Sequence, residues 1–474
     1  MKTGLQTAFL RLQEDVSRQY GTKIRTLSAM GVSAMMHGYL AFDRDMKLLV
    51  PFRTWRNTIT KEAREELSSL FKFNIPERWT IAHVREAMLK NEPHVPKIAR
   101  VTTLAGYVHY LLTGVYAVGI GEASGIMPID SVTKDYDEGM VRIFDGLAEK
   151  DGFLNIRARE IFPKVLLAGE DAGTLTEAGA RYLDPEGTLL PGTPLCPPEG
   201  DAGTGMTATN SVAKKTGNVS AGTSVFSMVV LEKALSGYYE EIDMVTTPDG
   251  SPVAMVHCNN CTSDINAWMH LFKETLALFG KEVSSSELFT TLFMESLKGA
   301  PDTDGLVHVN YVSGESITGF TEGMPLVLRR AETDFSPANF MRSMLYSAIA
   351  TLKLGNDILR KKENVAIDTL YGHGGFFKTK GVGQKFLADA LDSPVSVMET
   401  AGEGGPWGMA ILALYRILKE ENESLGDFLN TRIFRGEKGE TCLPDEEGVK
   451  GFERYTENYR TALLAEKAAV ESGL

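Results

Sequence analysis

Apolar residues recur at Leu5, Phe9, Leu12 and Val16, the stripe of one helical face, so the chain opens with a helix over 5–20. From 24 to 36 the pattern becomes strand-like and runs out at Ser33-Ala34-Met35-Met36-His37-Gly38. Apolar runs at 39–42 and 48–50 bracket Asp43-Arg44-Asp45 and predict a hairpin. Residues 60–116 read as helical segments broken by Pro76, Pro93 and Pro96. Residues 164–195, with glycine and several prolines, read as a connector with short strands. A boundary placed in the proline-rich stretch 191–198 divides the chain into domains 1–195 and 196–474.

The second part begins with a glycine-rich loop, Gly200-Asp201-Ala202-Gly203-Thr204-Gly205. A strand pair follows over 217–230, turned by Ser220-Ala221-Gly222-Thr223-Ser224. A helix over 261–279 has Thr262 or Ser263 available to cap it. Ser336-Pro337, the cap-then-proline order of a helix start, opens a long helix over 335–362. A strand at 367–371 runs into Gly372-His373-Gly374-Gly375, followed by a helix at 382–391 and a strand at 395–398. A glycine break, Gly402-Glu403-Gly404-Gly405, precedes a helix reaching about residue 419. Strand, glycine turn and helix in repeated order predict an α/β domain. Helix N-termini beside glycine turns are places where a nucleotide binds.

Composition sets outer limits. A chain of 474 residues exceeds one comfortable core, and 43% hydrophobic with 23% charged residues fits a globular protein. A net charge of −13 disfavours non-specific nucleic-acid binding, while a local group such as Arg53, Arg56 and Lys61 still suits a phosphorylated ligand. No apolar stretch has the length of a membrane span and no secretion signal opens the chain, so the expectation is a cytoplasmic protein without membrane partners. Cys258 and Cys261 form a single C-x-x-C, with His257 and His270 as the nearest further ligands for zinc. With no second C-x-x-C and no thioredoxin-like pattern, reduced thiols in a packed strand end are the preferred reading and no metal residue is assigned.

The chemistry concentrates at Asp201 and the glycine turns. Glycines let backbone amides approach an anion, and a neighbouring Asp accepts a proton from a bound hydroxyl. The combination points to phosphoryl transfer to an alcohol. Asp201 would be ionised at its ordinary pKa, which suffices where positioning and charge stabilisation carry the reaction.

These pieces in this order resemble the FGGY family of carbohydrate kinases, with xylulose and ribulose kinases as the nearest kind. The resemblance rests on residues 30–38, on Thr54-Trp55-Arg56-Asn57, on Ala123-Ser124-Gly125 and on Gly200-Asp201. It continues through Ala221-Gly222-Thr223-Ser224, Tyr311-Val312-Ser313-Gly314-Glu315, residues 372–376 and residues 402–413. It implies an α/β, two-domain, actin- and hexokinase-like ATPase fold with a central cleft, and ATP with Mg2+ as co-substrate. Asp201 matches the family's general base. Met36, His37, Trp55 and Asn57 match sugar-binding positions, together with Asp201. Gly222, Thr223 and Ser224 match the turn at the ATP phosphates, Gly374 and Gly375 the adenosine-side loop, and Gly404 the start of a nucleotide-facing helix. Relatives of this kind are often homodimers.

Departures accompany the matches. The family opens with an Asp-Phe-Gly-Thr-like phosphate-binding turn, which this sequence lacks. Two or three strands, about 30–60 residues at ordinary strand and loop lengths, are expected to be missing from an incomplete N-terminal domain. Ala202 stands where relatives carry an amide side chain, and Ser316 where they carry an arginine. The leading expectation is therefore an ATP-dependent kinase of a small sugar such as a ketose. Its rivals are a catalytically impaired sugar- or nucleotide-binding protein and a zinc-stabilised enzyme built on Cys258 and Cys261.

Overall fold

The computed structural model describes residues 2–398, 404–437 and 439–473. The chain folds into two compact units, each gathered from separated segments. The first comprises Met1–Val212, Met244–Val253 and Glu403–Arg435; the second comprises Ala213–Asp243, Ala254–Gly402 and Gly436–Leu474. The sequence reading cut the chain once, near residue 195. In the folded chain the first unit runs to residue 212 and takes in two later segments.

The first unit is built on short paired strands backed by helices. Ser33–Ala34 runs parallel to Glu199–Gly200, which brings the end of the early strand beside the start of the Asp201 segment. The expected strand over 24–36 is reduced to Ser33–Ala34 and a bridge from Met30 to Leu195. Leu40–Phe42 turns back through Asp43, whose carboxylate accepts from the Asp45 and Lys47 amides, as the hairpin pattern predicts. Helix Leu104–Thr113 starts at Thr103, whose hydroxyl accepts from the Gly106 amide, and stops at Gly114 with φ of 73°.

Residues 200–205, expected as a loop, are mostly helical: Asp201 is the first residue of helix Asp201–Ala208. Helix Gly404–Leu418 crosses it so closely that a Cβ on Gly408 would lie 1.9 Å from the Thr204 carbonyl oxygen. Of the glycine break ahead of this helix, Gly402 and Glu403 lie outside the described residues.

The second unit carries a mixed sheet with the neighbour order 225–230, 216–221, 369–373, 395–397, 440–442 and with strand Pro252–Cys258 outside 225–230. Thr216–Ala221 and Val225–Val230 are the expected hairpin, while Thr369–His373 lies parallel to Thr216–Ala221, pairing His373 with Ser220. Helix Pro337–Asp357 is buried along almost its whole length, and Ser336 accepts from the Asn339 amide at its start. Val382–Leu391 matches its predicted bounds. The 26-residue helix Glu446–Glu471 is an element the sequence reading did not assign, and it buries Phe452, Tyr455 and Tyr459. Among the described residues no helix is long and apolar enough to cross a membrane.

The Gly408 contact gives a direct test of the packing. Gly408→Ala forces a methyl group against backbone that cannot swing aside, and overpacking of this kind costs about 1–3 kcal/mol. A correspondingly lower urea midpoint with an unchanged m-value is the expected result.

Candidate active site

In the first unit, Asp201 sits at the N-terminus of its helix, where backbone amides favour a negative charge. Its Oδ1 accepts from the Met36 amide at 3.1 Å and from the Ala202 amide at 3.1 Å. Met36 and Asp201, far apart in sequence, are thus joined at one carboxylate oxygen. The outer side of the residue stays exposed, while protein crowding behind it raises the carboxyl pKa against the pull of the two amides. A carboxylate so placed can orient a hydroxyl and take its proton. A cavity of about 790 Å³ opens beside it, between residues 28–35 and the face of helix Gly404–Leu418 bearing Met409, Ala413 and Ile417.

His37 follows Met36 with φ of 68°, a left-handed conformation uncommon outside glycine. Its ring is buried, stacks on Trp79 at 6.1 Å between centroids and lies 3.4 Å through Nδ1 from the Gly125 carbonyl. A Cβ on Gly125 would lie 2.5 Å from that nitrogen, so the Ala123-Ser124-Gly125 motif makes room for the histidine. Trp55 and Asn57 lie in a turn between irregular segments. Trp55 projects from a turn, 39% exposed, with the Arg56 guanidinium over its ring, and Asn57 closes that turn on the Thr54 carbonyl. The two segments connect through the Tyr39–Arg53 bridge, and Arg53 also forms an ion pair with Glu92. Gly404, read as the start of a nucleotide-facing helix, belongs to the first unit and has φ of 64°.

The second unit holds the glycine turns together. Because Thr216–Ala221 and Thr369–His373 are parallel neighbours, Gly222–Ser224 and Gly374–Gly375 emerge at the same, carboxyl, ends of adjacent strands, where α/β sheets bind ligands. Gly374 has φ of 103°, and a Cβ there would lie 2.4 Å from the Ala221 carbonyl oxygen, so only glycine fits. The Gly222 carbonyl accepts from Thr262 Oγ1 at 2.7 Å and from the Thr262 amide at 3.1 Å. The Thr223 carbonyl accepts from the Cys261 amide at 3.0 Å. In a planar trans peptide the C=O and the next N–H point in opposite directions. Pinning these carbonyls inward therefore turns the Thr223 and Ser224 N–H groups outward, and neither donates to any described residue. Gly222 leaves open space at the same place. Two outward amides beside a missing side chain make a concavity of the kind that suits an anion.

A buried carboxyl beside Asp201, Glu199, was not singled out by the sequence reading. Glu199, fully buried, accepts from the Gly121 amide at 3.2 Å and the Glu122 amide at 2.9 Å. Its slot exists because Gly119 and Gly121 lack side chains; a Cβ on either would overlap the carboxyl group. Burial pushes the Glu199 pKa up to about 8 against its amide donors. Glu122, also buried, is driven well above the carboxylate range by burial and then by the neighbouring charges of Glu199 and Asp201. Nothing local marks Glu199, since its partners come from a distant segment.

These carboxyls set a pH dependence. Unfolded Glu199 ionises near 4.5 while folded Glu199 keeps its proton to about 8. Its contribution is thus complete below pH 4.5 and is lost as pH rises through that window. In urea titrations the decline in stability between pH 5 and 8 should be shallower for Glu199→Gln than for the parent. The cysteines give a second test. Cys196, Cys258 and Cys261 are buried free thiols whose pKa values burial raises, whereas Cys442 is partly exposed. A thiol-specific reagent should consume about one equivalent in the native protein and all four after unfolding.

The chain matches the model of the N-terminal domain of the FGGY family of carbohydrate kinases over residues 5–190, and the C-terminal domain model over 217–417. It is 22% identical over 463 residues to the xylulose kinase of Haemophilus influenzae, covering 92% of this chain and 84% of that protein. The crystal structure of ligand-bound xylulose kinase from Lactobacillus acidophilus superposes with a TM-score of 0.77 at 14% identity, covering 99% of this chain and 91% of that one. Xylulose kinase from Rhodospirillum rubrum gives 0.75 at 17% identity, with 97% and 88% covered. The fold is the two-domain actin- and hexokinase-like one. With both of its domains matched in order, the chain belongs to the FGGY family of carbohydrate kinases.

Proposed function

We propose that this kinase transfers the γ-phosphoryl group of MgATP to a hydroxyl of a small sugar, a ketose such as xylulose or ribulose. The observation that carries the reading is Asp201: a solvent-reached carboxylate with one oxygen fixed by the Met36 and Ala202 amides and a pKa raised by crowding. In the proposed reaction the sugar hydroxyl oxygen bonds to the γ-phosphorus as its proton passes to Asp201. The bond from the γ-phosphorus to the β–γ bridging oxygen breaks, ADP leaves with that electron pair, and Asp201 returns the proton to water. His37 and the Trp55–Asn57 turn are the proposed sugar contacts, and the xylulose kinase relative supports a ketose.

The outward Thr223 and Ser224 amides are the proposed contacts for phosphate oxygens, with Gly374 and Gly375 alongside for the nucleoside. Mg2+ enters as part of the nucleotide substrate. It keeps several waters and takes phosphate oxygens with one or two carboxylates, so it needs no preformed cage. Among the described residues no cage of three or more His, Cys, Asp or Glu is gathered. The family match spans both domains, so the binding-only alternative is not carried forward.

Release of ADP from MgATP, followed against ketoses, aldoses and polyols, tests the proposal. A sugar-dependent signal is expected, and Asp201→Asn should lower kcat by about 10²–10⁴-fold while MgADP affinity stays nearly constant. Sugar-dependent turnover at the parental rate in Asp201→Asn would remove Asp201 as the base. Silence of the parent protein across the panel would sink the activity itself.

A further inference from the structure

The phosphate turn is fixed by a polar device that the catalytic reading leaves unused. Asn260 and Glu315 are 2% and 0% exposed, and they meet on two loops of the second unit. Asn260 Oδ1 accepts from the Val312 amide at 3.0 Å, the Ser313 amide at 3.1 Å and Ser313 Oγ at 3.2 Å. Asn260 Nδ2 donates to the Ser313 carbonyl at 3.2 Å and to Glu315 Oε2 at 3.1 Å. The same Glu315 oxygen accepts from the Asn259 amide at 2.9 Å and the Asn260 amide at 3.2 Å. Asn260 therefore uses both ends of its amide to hold residues 312–315, and Glu315 holds the 259–260 backbone in return.

The next two residues carry this order into the turn. Cys261 and Thr262 supply all three bonds that pin the Thr223 and Gly222 carbonyls inward, and Asn310 Nδ2 secures the Cys261 carbonyl at 3.0 Å. Since the direction of each N–H follows from that of the carbonyl in its own peptide, the aim of the Thr223 and Ser224 amides depends on where 261–262 sit. We infer that the Asn260–Glu315 clasp is a positioning device for nucleotide phosphates, holding 261–262 so that the 222–224 turn presents its amides. This rests on the kinase reading above, through the assignment of that turn to the phosphates.

The clasp is also sensitive to pH. Burial raises the Glu315 carboxyl to about 7, opposed by the Asn260 side chain and the backbone amides of Asn260, Asn259 and Ile317. The titratable groups that sense its charge are Cys258 and Tyr311, both of which burial keeps protonated. As pH falls through 7 a charged acceptor becomes a neutral one, and charge-assisted hydrogen bonds are roughly twice as strong as neutral ones. The turn then loses definition and grips phosphate less firmly.

Calorimetric titration with MgADP at pH 6–8.5 tests this on the parent, Glu315→Gln and Asn260→Asp. Parental affinity should weaken from pH 8 to pH 6 by roughly fivefold more than that of Glu315→Gln, the two curves meeting at low pH. Titration of the nucleotide's own phosphate is common to both proteins and cancels. Asn260→Asp keeps the shape but turns a carboxylate toward Glu315, so at pH 8 it should weaken MgADP by about tenfold and alter the sugar KM by less than about twofold. Circular dichroism melting checks that each variant is folded. Parallel pH curves for the parent and Glu315→Gln, or parental MgADP affinity in folded Asn260→Asp, would overturn the clasp. If Asn260→Asp does not fold, the Glu315→Gln curve decides alone. A parent that binds MgADP yet phosphorylates no sugar defeats the kinase reading, and the clasp is still judged by these curves; a parent that binds no MgADP defeats both.

Discussion

The parallel pairing of Thr216–Ala221 with Thr369–His373 is the constraint on which the second unit depends. Two segments distant in sequence are locked in register, and everything that matters at their ends follows from that register. His373 opposite Ser220 delivers Gly374 over the Ala221 carbonyl, where no side chain fits. The hairpin partner Val225–Val230 then forces the chain to reverse within three residues, so Gly222–Ser224 is a tight turn with Thr223 exposed. Parallel neighbours need a long crossover. Here the crossover includes the loops that pin the turn and the buried helix Pro337–Asp357.

The first unit meets a comparable demand by burying acid. Three carboxyls, Glu122, Glu199 and Asp201, share one neighbourhood, and each is pushed above its ordinary range chiefly by desolvation. Removing a carboxyl from water is unfavourable unless donors replace the water or the group stays protonated. Glu199 has two backbone donors in a slot shaped by glycine; Asp201 has two and keeps a face in solvent. Burial thus holds the carboxyls beside Asp201 toward their neutral forms.

The legibility of the chain followed the range of the interactions. Helices with a strong stripe or a sharp cap, such as Val382–Leu391 and the Ser336-Pro337 start, could be read because their determinants are local. The Asp201 segment was not legible as structure: three glycines in the six residues 200–205 suggest a loop, whereas residues 201–208 form a helix packed against Gly404–Leu418. Trp55, matched to a sugar-binding position, lies on an exposed turn. The single boundary near residue 195 could not anticipate segments that return to the first unit, since no local composition records which surface a later helix covers. Glu199, Asn260 and Glu315 went unassigned because each works through partners tens of residues away.

The late return of Glu403–Arg435 to the first unit has a consequence for synthesis on the ribosome. Residues 1–212 emerge first, but the helix that packs against the Asp201 helix is translated after the 190 residues from 213 to 402. At about 5–20 residues per second, that leaves the nascent chain waiting on the order of 10–40 s with the Asp201 helix uncovered. During this interval the Thr204 face lacks its Gly408 partner, and apolar surface destined for Met409 and Ile411 is open to chaperones. The last turn of assembly, rather than the first, therefore completes the surroundings of the aspartate.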